Sequence, residues 1–135
     1  MDKLMHEKLI TKAIEAREKS YSPYSNFRVG AALLAKSGEI FCGCNVEIAG
    51  HSATCCAERT AFFKAVSSGI TDFCAIAVVG GPLEGLVDDC FPCGICRQVM
   101  SEFCGGDFVI ITAQNTQKYL RFTLEELLPH RFEKH

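Results

Sequence analysis

The chain has 135 residues, a formal net charge of -2 and 48% hydrophobic residues. This length suits one domain with a sizeable core, so residues 1–135 are interpreted as a single domain. Balanced charge argues against a nucleic acid polymer or a membrane surface as partner, because both attract clustered positive charge. No apolar run approaches the roughly 20 residues that a membrane span requires, and the first ten residues lack the apolar stretch of an export signal.

The first part of the chain predicts a helix followed by a β-hairpin. Apolar residues recur at helical spacing over 2–19. The polar stretch over 21–26 contains a proline and ends this helix. Two apolar runs, 27–35 and 40–46, flank the turn residues 36–39, which indicates a hairpin.

The rest of the chain predicts helices that alternate with strands. These elements are a helix over 55–68, a strand over 73–79, a loop over 80–91, a helix over 92–103, strands over 108–112 and 118–122, and a last helix opened by a capping box at Thr123 and Glu126. Strand–helix–strand alternation implies parallel neighbours joined by right-handed crossovers. The predicted fold class is therefore α/β, a three-layer α/β/α sandwich around a mixed five-stranded sheet.

Nine cysteines are the unusual feature of the composition. A small secreted domain uses disulfides in place of a core, but this chain has a full apolar complement and an odd number of thiols. We therefore expect a reduced, cytoplasmic protein that uses some cysteines as metal ligands. The nine lie at positions 42, 44, 55, 56, 74, 90, 93, 96 and 104.

Cys93 and Cys96 form a C-x-x-C motif directly after Pro92, at a predicted helix start. This spacing lets two sulfurs reach one tetrahedral ion, and a helix N-terminus stabilises thiolates. A thioredoxin-like redox dithiol has the same spacing, so the motif alone leaves both alternatives open.

A second helix start carries Cys56 and, two residues later, Glu58. Three thiolates with a fourth position open to water are typical of a catalytic zinc site, whereas a structural zinc site closes with four ligands. Glu58 would be the general acid and base beside the metal. Arg59 and Arg97 are the nearby cations, which we expect to donate to the sulfurs and offset their charge.

The motifs over 56–61 and 92–99 together resemble those of the small, homotetrameric, zinc-dependent cytidine deaminases. The similarity extends to the segments 21–32, 43–47 and 127–132, and so covers nearly the whole chain. The resemblance implies hydrolytic deamination of cytidine and deoxycytidine in pyrimidine salvage, with one Zn²⁺ per subunit held by Cys56, Cys93 and Cys96. It also implies that Glu58 takes a proton from the metal's water and delivers it to N3 of the pyrimidine.

The resemblance further implies a set of substrate contacts. These are Phe27 against the base or sugar, the backbone of Ala57 at the base edge, Asn45 and Glu47 at the ribose, and Ala49 and Phe132 around sites shared between subunits. His51, which is not part of the family pattern, could contact a substrate in the next subunit. Asn45 and Glu47 lie two residues apart at a strand end, so their side chains share one face and could clasp a ribose hydroxyl.

Some residues depart from the pattern of that family. Ile48 cannot hydrogen-bond as the usual amide does, His51 introduces a titratable ring, and the 80–91 loop, with Asp88 and Asp89, looks longer than usual. Deamination of another aminopyrimidine nucleoside, blasticidin-like or a modified cytidine, therefore stays open as an alternative. A non-catalytic binding module with structural zinc is a further alternative.

Overall fold

The computed structural model describes residues 1–87 and 90–134. Asp88 and Asp89, part of the predicted long loop, lie outside the described residues. Within them, no helix is long and apolar enough to cross a membrane.

A mixed sheet of five strands forms the centre of the structure. The strands are β1 Arg28–Ala35, β2 Ile40–Cys44, β3 Phe73–Gly81, β4 Val109–Ala113 and β5 Tyr119–Thr123. Their order in the sheet is β2-β1-β3-β4-β5, with β3 and β4 parallel and every other neighbouring pair antiparallel. The predicted hairpin and the predicted parallel pair are both confirmed.

Helices cover both faces of this sheet, as the predicted three-layer fold requires. The helices are α1 Lys3–Arg17, α2 Ala57–Ser67, α3 Gly94–Phe103 and α4 Leu124–Leu127, with a 3-10 turn at His51–Ala53. On one face α1 packs its apolar stripe, including Leu9 and Ile10, against the sheet. On the opposite face Phe62 of α2, Met100 of α3 and Leu124 of α4 belong to a second buried cluster.

The two helices that carry the cysteine motifs begin later than the sequence predicts. Cys56 and Cys93 are N-cap residues with extended backbone, at ψ 154 and ψ 169, so α2 and α3 start one residue beyond each. Cys55, which we assigned to the helix, instead pairs with Val46 through two backbone hydrogen bonds of 2.9 Å. The N-cap position matters because its side chain leaves the helix end rather than its side.

Local caps fix two other helix ends, and one of them is the predicted capping box. The Asp2 carboxylate accepts from the Met5 N–H at 2.9 Å and begins α1. The capping box is confirmed, since Thr123 Oγ1 accepts from the Glu126 N–H while the Glu126 carboxylate accepts from the Thr123 N–H. A satisfied N-cap contributes about 1 kcal/mol.

Candidate metal centre and active site

Three cysteine sulfurs converge where α2 and α3 begin. The sulfurs of Cys56, Cys93 and Cys96 all lie within 4.8 Å of one another. Neither N-cap thiol bonds to its own helix, so both point away from the helix ends toward the common position. The predicted three-ligand set is therefore brought together by two helix N-termini on the same side of the sheet.

The sulfur spacing fits a tetrahedral metal ion. Zinc–sulfur bonds of about 2.3 Å place two tetrahedral ligands about 3.8 Å apart. The Cys56 and Cys93 sulfurs are 3.8 Å apart, and those of Cys93 and Cys96 are 3.5 Å apart. These three residues would hold Zn²⁺ beside the adjoining cavity, which Cys56 and Cys93 line.

The charge state of the thiols also fits a cation. Hydrogen bonds from Cys96, Arg59 and Cys93 lower the pKa of Cys56 to about 5. The bond to the Cys56 sulfur, with burial, raises the pKa of Cys96 far above the ordinary thiol range. Without a metal, one thiol of the cluster therefore loses its proton readily. A bound divalent cation is needed to favour the deprotonated form of the other thiols.

The two arginines near the cluster have different contacts. Arg59 donates to the Cys56 sulfur at 3.3 Å, and this bond raises the pKa of the guanidinium. We expected Arg97 to donate to a cysteine sulfur as well, but no hydrogen bond among the described residues joins Arg97 to a sulfur. Its Nε donates to the carbonyl of Pro92 and its Nη1 to that of Leu127, each at 2.7 Å. Arg97 thus fastens the residue before Cys93 to the C-terminal segment.

Glu58 lies in the first turn of α2 and is only 4% exposed. Burial, reinforced by the negative charge at Cys56, raises the pKa of its carboxyl to about 7. A carboxyl that titrates near neutral pH can both accept and return a proton, which is the property of a general acid and base.

A cavity of about 360 Å³ opens beside the three thiols. Its volume is in the range of small-molecule sites. Its lining includes the predicted catalytic residue Glu58 and four of the seven residues predicted to contact substrate: Phe27, Asn45, Glu47 and Ala57. Residues from a loop, from a strand end and from a helix start therefore face one space.

Asn45 is buried and holds the start of β1. Its Oδ1 accepts from the Val29 N–H at 2.9 Å and its Nδ2 donates to the Phe27 carbonyl at 2.9 Å. The hydroxyl of Ser20 also donates to Oδ1. The same amide that lines the cavity thus fixes the backbone on either side of Arg28, and so the placement of the Phe27 ring.

Glu47 is held by the loop that precedes β1. Its carboxylate accepts from the backbone N–H groups of Tyr24 and Ser25, at 3.0 and 3.1 Å, and from the Ser25 hydroxyl. The Ser25 hydroxyl is the main cause of a lowered pKa for Glu47. The carboxylate is therefore ionised at neutral pH and serves as an acceptor.

Three of the predicted substrate contacts do not line this cavity. Ala49 is exposed, and Phe132 is 72% exposed. His51 lines a neighbouring cavity of about 420 Å³, which shares Ser25, Glu47 and Thr54 with the first. Within one chain these residues are placed at the surface.

Sequence reasoning missed other residues of the cavity wall. Cys90, which was predicted neither as a metal ligand nor as a substrate contact, lines the cavity together with Phe91, Val29 and Thr54. The sequence does offer a signal for Cys90 and Phe91, because they directly precede the Pro92 motif. Residues that lead into a turn carrying metal ligands lie next to the metal site.

A larger cavity of about 750 Å³ lies near the C-terminal segment, lined by residues that include Asp107, Glu125 and His130. None of the three thiols or Glu58 belongs to its lining. The chemical groups therefore favour the smaller cavity as the active site.

Comparison with known proteins agrees with this geometry. Residues 3–112 match the family described as the cytidine and deoxycytidylate deaminase zinc-binding region. A cytidine deaminase of Sporosarcina psychrophila is 51% identical over 128 residues, which cover 95% of this chain and 91% of the relative. A blasticidin-S deaminase of Bacillus cereus is 36% identical over 110 residues, which cover 78% of this chain and 77% of the relative.

A solved structure shares the fold. The crystal structure of cytidine deaminase from Burkholderia pseudomallei matches with a TM-score of 0.82 and 44% identity, covering 94% of this chain and 98% of that one. With the matched zinc-binding region and the three converging thiols, the chain belongs to the zinc-dependent cytidine deaminase family of hydrolases.

Proposed function

We propose that residues 1–135 act as one catalytic domain that hydrolyses cytidine and deoxycytidine to uridine and deoxyuridine with release of ammonia. The observation that carries this proposal is the buried Glu58, which lines the same cavity as Cys56 and Cys93 of the three-thiol cluster. A structural zinc site or a redox dithiol at Cys93 and Cys96 would leave this carboxyl without a use.

Zinc held by Cys56, Cys93 and Cys96 would supply Lewis acidity and make a water molecule easier to deprotonate at neutral pH. Glu58 would accept a proton from the attacking water and pass it to N3 of the pyrimidine. It would then take the hydroxyl proton of the tetrahedral adduct at C4 and deliver it to the amino group, which leaves as ammonia as the C4 carbonyl forms, so one carboxyl acts twice as base and twice as acid. Its pKa of about 7, which is raised by burial, makes both directions accessible.

The wall of the cavity would orient the nucleoside. The backbone of Ala57 would meet the base edge and the Phe27 ring would pack against the base or sugar. The Asn45 amide keeps one further N–H beyond its bond to Phe27, and the ionised Glu47 can accept from a ribose hydroxyl. A carboxylate here also disfavours a crowded anionic ligand, so a nucleoside suits the site better than a polynucleotide.

The active sites are proposed to be completed by neighbouring subunits of a homotetramer. Phe132 is 72% exposed, yet its carbonyl accepts from the Gln98 amide at 3.1 Å, so the backbone is held while the ring projects. Ala49 and His51 lie on an exposed segment beside the cavity. All three are therefore available to contact another copy of the chain.

Phe132→Ala tests this assembly. We expect the variant to have a higher KM for cytidine, measured by steady-state kinetics, or to form smaller species than the tetramer, measured by light scattering. Its zinc content should be unchanged. A wild-type monomer with full activity would contradict shared sites.

We place this reaction in pyrimidine salvage in the cytoplasm. The support is the cluster of three thiols that must stay reduced to bind metal, together with several further cysteines in the same chain.

A second substrate class is favoured by one specific observation. The loop that carries Ile48 and His51 departs from the family pattern and lines a cavity that shares Ser25, Glu47 and Thr54 with the active-site cavity. A larger aminopyrimidine nucleoside, such as blasticidin S or a modified cytidine, would use that additional space.

Turnover by the zinc-loaded chain separates these possibilities. We expect the ultraviolet absorbance of cytidine to fall and ammonia to be released. Glu58→Gln should lower kcat by about 10²–10⁴-fold while zinc remains bound. Turnover of blasticidin S without turnover of cytidine would support the second class, and full activity of the Gln variant would refute the catalytic role of Glu58.

A further inference from the structure

Arg17 is a buried cation on α1, a helix that carries none of the three clustered thiols. It is the last residue of α1, and it is 5% exposed although arginine is ordinarily a surface residue. It does not line the active-site cavity. Such burial requires partners, because an uncompensated charge in the interior is costly.

The partners of Arg17 are backbone carbonyls from two separate segments. Its Nε donates to the Arg28 carbonyl at 3.2 Å, and its Nη2 donates to the carbonyls of Pro82 and Gly85, the latter at 3.0 Å. The only described ion pair of its guanidinium is with Glu18, at 3.7 Å. One planar fork of donors thus bridges the start of β1 and the segment after β3.

The segment that Arg17 holds folds back over the end of β3. The Val87 N–H donates to the Gly80 carbonyl at 2.8 Å. Gly85 has φ +86, in the region that favours glycine, and its carbonyl packs directly on Gly81, where a Cβ would not fit. Arg17 therefore holds a segment that packs against the C-terminal end of β3.

One of the two segments held by Arg17, the start of β1, belongs to the wall of the substrate cavity, and the other is bound to the end of β3 on which that wall packs. Phe27, which lines the cavity, is the neighbour of Arg28. A Cβ added to Gly80 would lie 3.1 Å from the Phe27 ring and would also collide with the Cys90 sulfur. The ring of Phe27 and the thiol of Cys90 thus rest on the strand end to which the 82–87 segment is bound.

We propose that Arg17 is a positioning residue for substrate binding, and that it acts by fastening the Phe27 side of the cavity to the 82–87 segment. This inference rests on the proposed deaminase function. It concerns KM rather than the chemical step, because Glu58 and the three thiols are held by α2 and α3.

Two variants and one control test the role. In Arg17→Lys a single nitrogen replaces the fork and cannot span both segments, so we expect the KM for cytidine to rise about tenfold with kcat within about twofold. Arg17→Ala should behave similarly, and millimolar guanidinium should lower its KM while methylammonium should not. The control, Glu18→Gln, removes the exposed ion-pair partner but leaves the three carbonyl bonds, so its KM should be unchanged.

The readouts separate positioning from general stability. A role limited to stability would lower the melting temperature of both variants without moving KM for the folded, zinc-loaded protein, and that result would overturn the inference. A fall in kcat at constant KM would also overturn it, since the effect would then reach the metal site. If added guanidinium failed to lower the KM of Arg17→Ala, the proposed role of the planar guanidinium would be refuted.

Wild-type protein keeps the inference testable if neither variant folds. Because a ligand stabilises the state it binds, uridine should slow amide hydrogen exchange in 27–30 and in 80–87 together. Protection of the first segment without the second would overturn the inference. Absence of both cytidine turnover and uridine binding by the wild type would instead refute the proposed function.

Discussion

At the scale of single residues, the active site places a carboxyl and a thiolate two positions apart on one helix start. Cys56 ends the loop and Glu58 lies in the first helical turn, so both side chains face the cavity although residues two apart in a helix interior diverge. Arg59, one position further, donates to the Cys56 sulfur. A run of four residues thereby supplies a ligand, an acid–base group and a counter-charge.

Burial of Glu58 predicts a pH-dependent stability for the metal-free chain. Its folded pKa of about 7 exceeds the ordinary value of 4.5, so the folded state binds more protons between these values and stability falls as pH rises through that window. Glu58→Gln removes this dependence. At pH 8 we expect the metal-free variant to melt about 5 °C or more above the wild type, with little difference at pH 4. Equal melting temperatures at both pH values would contradict the buried carboxyl.

At the scale of elements, the position of α2 depends on its close approach to β2. A Cβ at Gly43 would lie 2.6 Å from the Ala57 carbonyl and from the Ala61 nitrogen, both backbone atoms of α2. Helix and strand can therefore meet only where the strand has no side chain. The contact sets the depth of the first turn of α2, which carries the metal ligand and Glu58.

Gly43→Ala should consequently affect both stability and activity. Overpacking of this kind costs about 1–3 kcal/mol, and a shift of α2 would move Cys56 relative to Cys93. We expect a lower melting temperature and a lower kcat. Gly50→Ala is the matched control for overpacking within the chain, because nothing in the chain lies within 4 Å of its added Cβ and its φ is -80, so its melting temperature should match the wild type. Measurements are thermal unfolding and cytidine turnover.

At the scale of the whole molecule, the metal would join two parts of the fold that are distant in sequence. Cys56 begins the helix between β2 and β3, whereas Cys93 and Cys96 begin the helix between β3 and β4. Both crossovers lie on the same face of the sheet, so their N-termini meet. An ion bound there stabilises the folded state, because the unfolded chain has no preformed site.

Zinc removal should therefore lower the melting temperature. Stabilisation at a zinc concentration of 1,000 times Kd is about 4 kcal/mol, which corresponds to about 10 °C for a chain of this size. We expect chelation to remove this increment and Cys56→Ser to abolish the response to zinc. Cys42→Ser should keep it, since Cys42 lies on β2 outside the thiol cluster. A zinc response in the Cys56 variant equal to the wild type would contradict the ligand set.

Local sequence determined most of the elements and the identity of the metal ligands. Helical spacing predicted α1, the turn at 36–39 predicted the hairpin, and Thr123 with Glu126 predicted the last cap. The ligands Cys56, Cys93 and Cys96 were identifiable because their spacing and neighbours define a recognisable pattern. These features depend on residues close in sequence, whose geometry is fixed by the backbone itself.

Only the tertiary structure decided which distant groups share the cavity and which partners they use. Cys90 joins the wall because β3 ends in glycines that admit its sulfur, and Arg97 donates to carbonyls because the C-terminal segment passes within its reach. The burial of Arg17 could not be predicted from the sequence either, because its acceptors are backbone carbonyls, which every residue possesses. The sequence determined the chemical groups of this protein, whereas long-range packing decided their surroundings, because side-chain patterns do not encode contacts made by the backbone.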